Sequence, residues 1–135
     1  MKYLCLVYHD ETTLDIPDEE LQGRMRACGT WVGDLTRGGR HICSAALQSS
    51  ETATTLRSRN GRVSLHDGPF AETKEVLAGF TLLEAPDLNE ALREAAKLAA
   101  CSLATIEVRA LLGPGVEAST ERDRKIVSAI TKVSA

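Results

Sequence analysis

The chain has 135 residues, 43% of them hydrophobic and 26% charged, with a formal net charge of −3. That is the length of one soluble domain with a modest core, and its acidity argues against nucleic acid, which would favour a basic face. The sequence has no run of apolar residues long enough for a membrane span, and Met1-Lys2-Tyr3 enters a short apolar run with no signal-peptide pattern, so the expectation is a cytoplasmic protein with no membrane partner.

Residues 3–8 are apolar on both alternating faces, which predicts a central strand covered on both sides. Pro17 followed by Asp18, Glu19 and Glu20 marks a helix start, with the acids complementing the helix dipole. Leu21, Met25, Cys28, Val32 and Leu35 recur at helical spacing as its inward stripe, and Gly38-Gly39 ends it. Residues 41–47 read as a second strand. Residues 52–58 and 62–66 are short runs rich in Thr, Val and Leu. Asn60-Gly61 between them is the strongest two-residue hairpin signal, since a type I′ turn requires positive φ at both positions.

Residues 76–83 form another strand, and Gly79 inside it suggests a bulge or a close backbone approach. Asp87, with Glu90 after it, opens a second helix through a capping box. Leu88, Ala91, Leu92, Ala95 and Ala99 make its inward stripe. Residues 104–112 are the last strand of the domain. Gly113-Pro114-Gly115 then breaks the chain, and Ile126, Val127, Ile130 and Val133 lie on one face of a short helix that would be marginal alone. The order is a split βαβ with an inserted hairpin, a ferredoxin-like α+β fold. Its helices cover one sheet face. The other face needs cover, and a second copy of the chain is the economical answer, so a homodimer is expected.

The candidate chemistry gathers in two segments. Asp67-Gly68-Pro69-Phe70-Ala71-Glu72-Thr73-Lys74-Glu75 packs turn residues, a Phe and several charges into one loop, as the wall of a binding cleft does. There Asp67 or Glu72 would serve as base and Lys74 as the cation for an anionic substrate. Phe70 would contact substrate or anchor the loop by packing. The plainer readings are a turn-capping Asp67 and a salt-bridged surface from Glu72 to Glu75. The second segment follows the first strand. His9 beside Asp10 and Glu11 could act as general acid and base, with Tyr8 and Asp10 lining the same cleft. The plainer reading is a solvated loop.

His41 reads as surface, and His66 cannot pair with its strand neighbour Asp67, which points to the opposite face. Cys5, Cys28, Cys43 and Cys101 lack Cys-x-x-Cys or zinc spacing and read as reduced, mostly buried small hydrophobes. No metal site is expected. Nor is a cofactor, since a phosphate-binding Gly-rich loop, a nucleophile elbow and a dinucleotide fingerprint are all missing from the sequence.

The Asp67–Glu75 stretch also resembles the DGPF motif of the YCII-related family. Supporting segments are Met1-Lys2-Tyr3, His9-Asp10-Glu11, Ala46-Leu47-Gln48, Thr52-Ala53-Thr54-Thr55, Phe80 to Glu84, Pro86 to Ala91 and Ile106-Glu107-Val108-Arg109. The resemblance covers residues 1–112 and leaves 113–135 as a C-terminal extension. It implies the ferredoxin-like fold and pairing as a dimeric α/β barrel. It also implies a paired His and Asp, with the His on the first helix. The matching positions here are near Ala27 and Cys28, and near Leu98 on the second helix, and none of these is a His or an Asp. The DGPF-loop acids and His9 are left as substitutes. Family genes often lie near those for extracytoplasmic-function sigma factors, which implies a link to sensing. The expected function is therefore a small-molecule enzyme with an acid-rich cleft for proton transfer, isomerisation or elimination. The alternative is a non-catalytic ligand-binding or regulatory module.

Overall fold

A computed structural model of the chain describes residues 1–134. Its strands are β1 (Lys2–Asp10), β2 (His41–Ala46), β3 (Thr54–Arg59), β4 (Arg62–Asp67), β5 (Glu75–Glu84) and β6 (Thr105–Ala110). Its helices are α1 (Asp18–Arg37), α2 (Leu88–Ser102) and α3 (Glu121–Ser134), with short 3-10 turns at Glu11–Leu14 and Ser50–Thr52. The main sheet runs β2-β5-β1-β6, antiparallel throughout. With α1 between β1 and β2, and α2 between β5 and β6, this is the ferredoxin-like α+β arrangement.

Alternation along the central strands decides which side chains meet the helices. Tyr3 and Cys5 of β1 and Leu83 of β5 are buried with Trp31 and Leu35 of α1 and Ala91, Ala95 and Leu98 of α2. The intervening residues point to the other sheet face, where Leu4 pairs with Leu82 and Leu6 with Phe80. These four apolar side chains stay only partly covered.

The helix stripes differ in detail from the sequence expectation. Met25 is exposed and Trp31 takes the inward place. On α2 Leu88 and Leu92 are exposed, while Glu94 and Leu98 are buried. Leu92 lies about 100° round the helix from Ala91, off the line that meets the sheet. Glu94 turns inward because polar partners satisfy it there: Trp31 Nε1 at 3.1 Å, Arg40 Nη2 at 3.1 Å and Lys97 Nζ at 3.2 Å. An apolar-periodicity reading assigns a carboxylate outward and cannot see those partners.

Gly79 serves both suspected purposes. Val7 pairs with Gly79 but Tyr8 pairs with Leu77, so Ala78 is an extra residue in β5, a bulge. A Cβ on Gly79 would stand 2.7 Å from the Ala45 carbonyl oxygen, so β2 approaches as closely as it does only because that atom is missing.

β3 and β4 form a two-stranded sheet of their own. Asn60 and Gly61 have φ of 53° and 75°, the type I′ turn. All of β4 is exposed. The facing pair Leu56 and Leu65 is 61% and 71% exposed, so the hairpin projects beyond the core. α3 follows β6 with none of its residues fully buried.

Candidate functional site

The hairpin, the loop after it and the end of β1 frame a cleft of about 1590 Å³. Three local features build it. The chain leaves β2 through Leu47 and Gln48 into the Ser50–Thr52 turn, which Glu11 fixes. Its carboxylate accepts from Ser50 N at 2.8 Å, Ser50 Oγ at 2.9 Å and Ser49 Oγ at 3.1 Å. These bonds hold the Glu11 carboxyl below its usual range, the Ser50 backbone N–H acting most strongly. The turn at Gly68, whose φ is +108°, is then tied back to β3. Gly68 N donates to Ala53 O at 2.7 Å and Thr55 Oγ1 donates to Gly68 O at 2.8 Å. Finally the Ala78 bulge reorients the start of β5, and Glu75 there accepts from Thr105 Oγ1 of β6 at 2.9 Å.

The expected site residues divide between this cleft and other surfaces. Tyr8, Asp10, Phe70 and Lys74 line it together. Asp10 caps the following 3-10 turn, accepting from Thr12 N at 3.0 Å and Thr12 Oγ1 at 2.9 Å. Those bonds lower its carboxyl pKa, the Thr12 backbone N–H most, and nearby Lys74 adds to the effect. Such a carboxylate is a ready acceptor and a weak base.

His9 points the other way. It lines an adjoining cavity of about 330 Å³ with Glu11 and Leu14, the two cavities sharing Leu47, Gln48, Ser49, Val76 and Leu77 as a wall. Its Nδ1 lies 3.1 Å from the backbone carbonyl of Asp10. A carbonyl can only accept, so Nδ1 donates there and Nε2 is left as the free ring nitrogen. Strand alternation explains the split, since Tyr8 and Asp10 share one face of β1 and His9 takes the other.

Asp67 ends β4 opposite Thr54, exposed and off the cleft lining, and Glu72 is likewise on the outer surface of the loop. The three residues expected to carry acid–base chemistry, His9, Asp67 and Glu72, thus do not converge. Phe70 is 78% exposed on the rim, so it does not anchor the loop by packing in this chain.

Sequence reasoning missed the opposite wall, formed by Leu47, Ser49, Thr55 and Leu56, and the contributions of Glu75, Thr105 and Glu107. The signal available was the alternation on the last strand, which puts Thr105 and Glu107 on the same face as Tyr8, Thr105's partner in the ladder. Among the described residues, no three His, Cys, Asp or Glu side chains group as a metal site. No helix among them is long and apolar enough to cross a membrane.

Two comparisons bear on identity. A family model described as the YCII-related domain matches residues 1–113. An uncharacterized protein of Rhizobium meliloti (strain 1021) is 38% identical over 120 residues, covering 85% of this chain and 97% of that protein.

Proposed function

The chain belongs to the YCII-related family, and from that premise we propose that it is a small-molecule-binding protein whose ligand lies between the β3–β4 hairpin and the end of β1. The observation that carries this reading is the cleft's two-sided lining. Leu56, Phe70, Val76 and Leu77 supply apolar wall, while Asp10, Lys74, Glu75 and Glu107 supply convergent polar groups. Small-molecule sites have this make-up, a mostly apolar surface with a few placed polar groups that fix orientation. Carboxylates outnumber the single ammonium among those groups, so the fitting ligand has an apolar body and a neutral or cationic head.

A second reading keeps proton transfer, isomerisation or elimination on the bound molecule. It is favoured by Lys74 and Glu75 standing on one cleft wall. Glu75, rather than His9, Asp67 or Glu72, would then be the base and Lys74 the acid or the electrophilic partner. Pairing of two copies through the face bearing Leu4, Leu6, Phe80 and Leu82 completes the proposal, giving that face the cover its composition calls for.

A thermal-shift screen against a metabolite library tests the binding reading, because a ligand of the folded state must raise its stability. The expected hits are amphipathic molecules with neutral or cationic heads. Their shift shrinks in Lys74→Ala and Leu56→Ala variants. Hits that stabilise both variants as well as the parent would refute the assignment of the cleft. Light scattering at micromolar concentration tests the pairing, with a monomer as the refuting result.

A further inference from the structure

Cys28 of α1 and Cys101 of α2 are 73 positions apart in sequence, yet their sulfurs stand 2.9 Å apart. A disulfide's S–S bond is about 2.05 Å, so less than about 1 Å of closure separates this pair from a covalent link. Both residues are partly exposed and both thiols are free. We propose that Cys28 and Cys101 are a redox modification site, oxidised by a hydroperoxide to a disulfide that staples α1 to α2. The inference stands independently of the ligand cleft, which lies at the hairpin end of the molecule.

The hydrogen bonds assign the roles. Cys101 Sγ donates to Leu98 O at 3.3 Å, so its proton is directed away from Cys28. Cys28 then donates its S–H to the Cys101 sulfur. Cys101, the acceptor sulfur of this contact, is assigned as the attacking group. Cys28 is the resolving thiol, its pKa pushed up to about 12 by burial and by the bond to Cys101, with Arg24 one turn earlier on α1 pulling the other way. Arg24 also donates from Nη1 to the Cys101 carbonyl oxygen at 3.5 Å, so one cation stands beside both cysteines.

The Cys101 thiolate attacks one peroxide oxygen, the O–O bond breaks, and the departing oxygen leaves as an alcohol or water carrying the proton the thiol had lost. Cys101 is now a sulfenic acid. The Cys28 sulfur attacks the Cys101 sulfur, the S–O bond breaks, and the oxygen leaves as water with the Cys28 proton. Two thiols are oxidised by two electrons and one peroxide is reduced. Cys5, whose pKa burial raises to about 11, is shut inside the core. Cys43 is free and exposed on β2, away from the α1–α2 pair.

The test is oxidation of the full chain with hydrogen peroxide, followed by alkylation of free thiols and peptide mass mapping. The expected product keeps two alkylatable cysteines of the original four, Cys5 and Cys43, and contains a Cys28–Cys101 cross-linked peptide. Its melting temperature exceeds that of the reduced protein by about 5–10 °C, since the link closes a long loop of the unfolded chain. Dithiothreitol reverses both changes. Cys101→Ser and Cys28→Ser give no link and no rise, whereas Cys43→Ser behaves as the parent. Peroxide-treated parent protein in which Cys28 remains alkylatable, or in which Cys101 proceeds to the sulfinic acid unlinked, overturns the proposal. That readout needs no variant to fold.

Discussion

Trp31 Nε1 donates to Glu94 Oε2 across 3.1 Å inside the core, joining α1 to α2 through a buried carboxylate. The other carboxylate oxygen takes Arg40 Nη2 and Lys97 Nζ, so each oxygen is satisfied and the charge is compensated. Removing the carboxylate would leave the indole N–H buried without an acceptor, and that desolvation penalty dominates over the modest net value of the bond itself. Glu94→Ala should cost about 3 kcal/mol in urea unfolding, and Trp31→Phe about 1–2 kcal/mol, since Arg40 and Lys97 still hold the acid. A loss under about 0.5 kcal/mol for Glu94→Ala would contradict this role.

The same residue sets a pH dependence. Burial raises the Glu94 carboxyl pKa, but Lys97 and Arg40 more than offset it, and the net value lies below the ordinary one. A carboxyl whose folded pKa is lowered contributes stability that is fully present above the unfolded value of about 4.3 and is lost as pH falls through the folded value. Asp10 and Glu11 shift in the same direction. The stability gap between the parent and Glu94→Gln should therefore be widest near neutral pH and narrow below about pH 4. A gap that does not change with pH would contradict the assignment.

Much of this architecture was legible in the sequence because local signals agreed with one another. Asn60-Gly61, the Asp87 cap and Gly79 each carry a backbone meaning that survives without neighbours, and each stands where that meaning is used. Side-chain direction was less legible. Phe70 looked like an anchor because exposed Phe is uncommon, but the projecting hairpin leaves it on a rim. Trp31 and Glu94 could be paired only once α1 and α2 were packed. His9 and Tyr8 are adjacent in sequence and read as parts of one cleft, yet the pleat sends them to two adjoining cavities. The cleft wall after β2 carries no motif at all. Its residues matter because Glu11 pins the Ser49-Ser50 turn from across the fold.

Gly79 offers a sharp steric test. An added Cβ would meet the Ala45 carbonyl oxygen at 2.7 Å, and that atom is backbone, which cannot swing aside. Gly79→Ala should destabilise the domain by about 2 kcal/mol, as overpacking does, and should loosen the β2–β5 ladder in hydrogen exchange. Unchanged protection at Ala45 and Leu47 would show that β2 does not need the close approach.

The hairpin turn predicts a local effect rather than a global one. Gly61 sits at φ 75° with open space where a Cβ would go, so Gly61→Ala suffers only the left-handed backbone penalty. That is about 1 kcal/mol. Because β3 and β4 pair only with each other, the penalty should appear as faster amide exchange within the hairpin, with little change in the melting temperature of the domain. A drop in global stability as large as the local loss would mean that the hairpin folds as part of the core.

The proposed ligand is a small molecule held in the space between the hairpin and the end of β1. That placement is tested most directly by a two-dimensional NMR titration of the labelled protein with the strongest amphipathic hit from the thermal-shift screen. The predicted result is saturable shift changes confined to Tyr8, Asp10, Leu47–Leu56, Phe70–Leu77, Thr105 and Glu107, with His9 and the α1–α2 surface unmoved. Changes centred on His9, Glu11 and Leu14, or on the α1–α2 surface, would contradict it and move the site elsewhere on the fold.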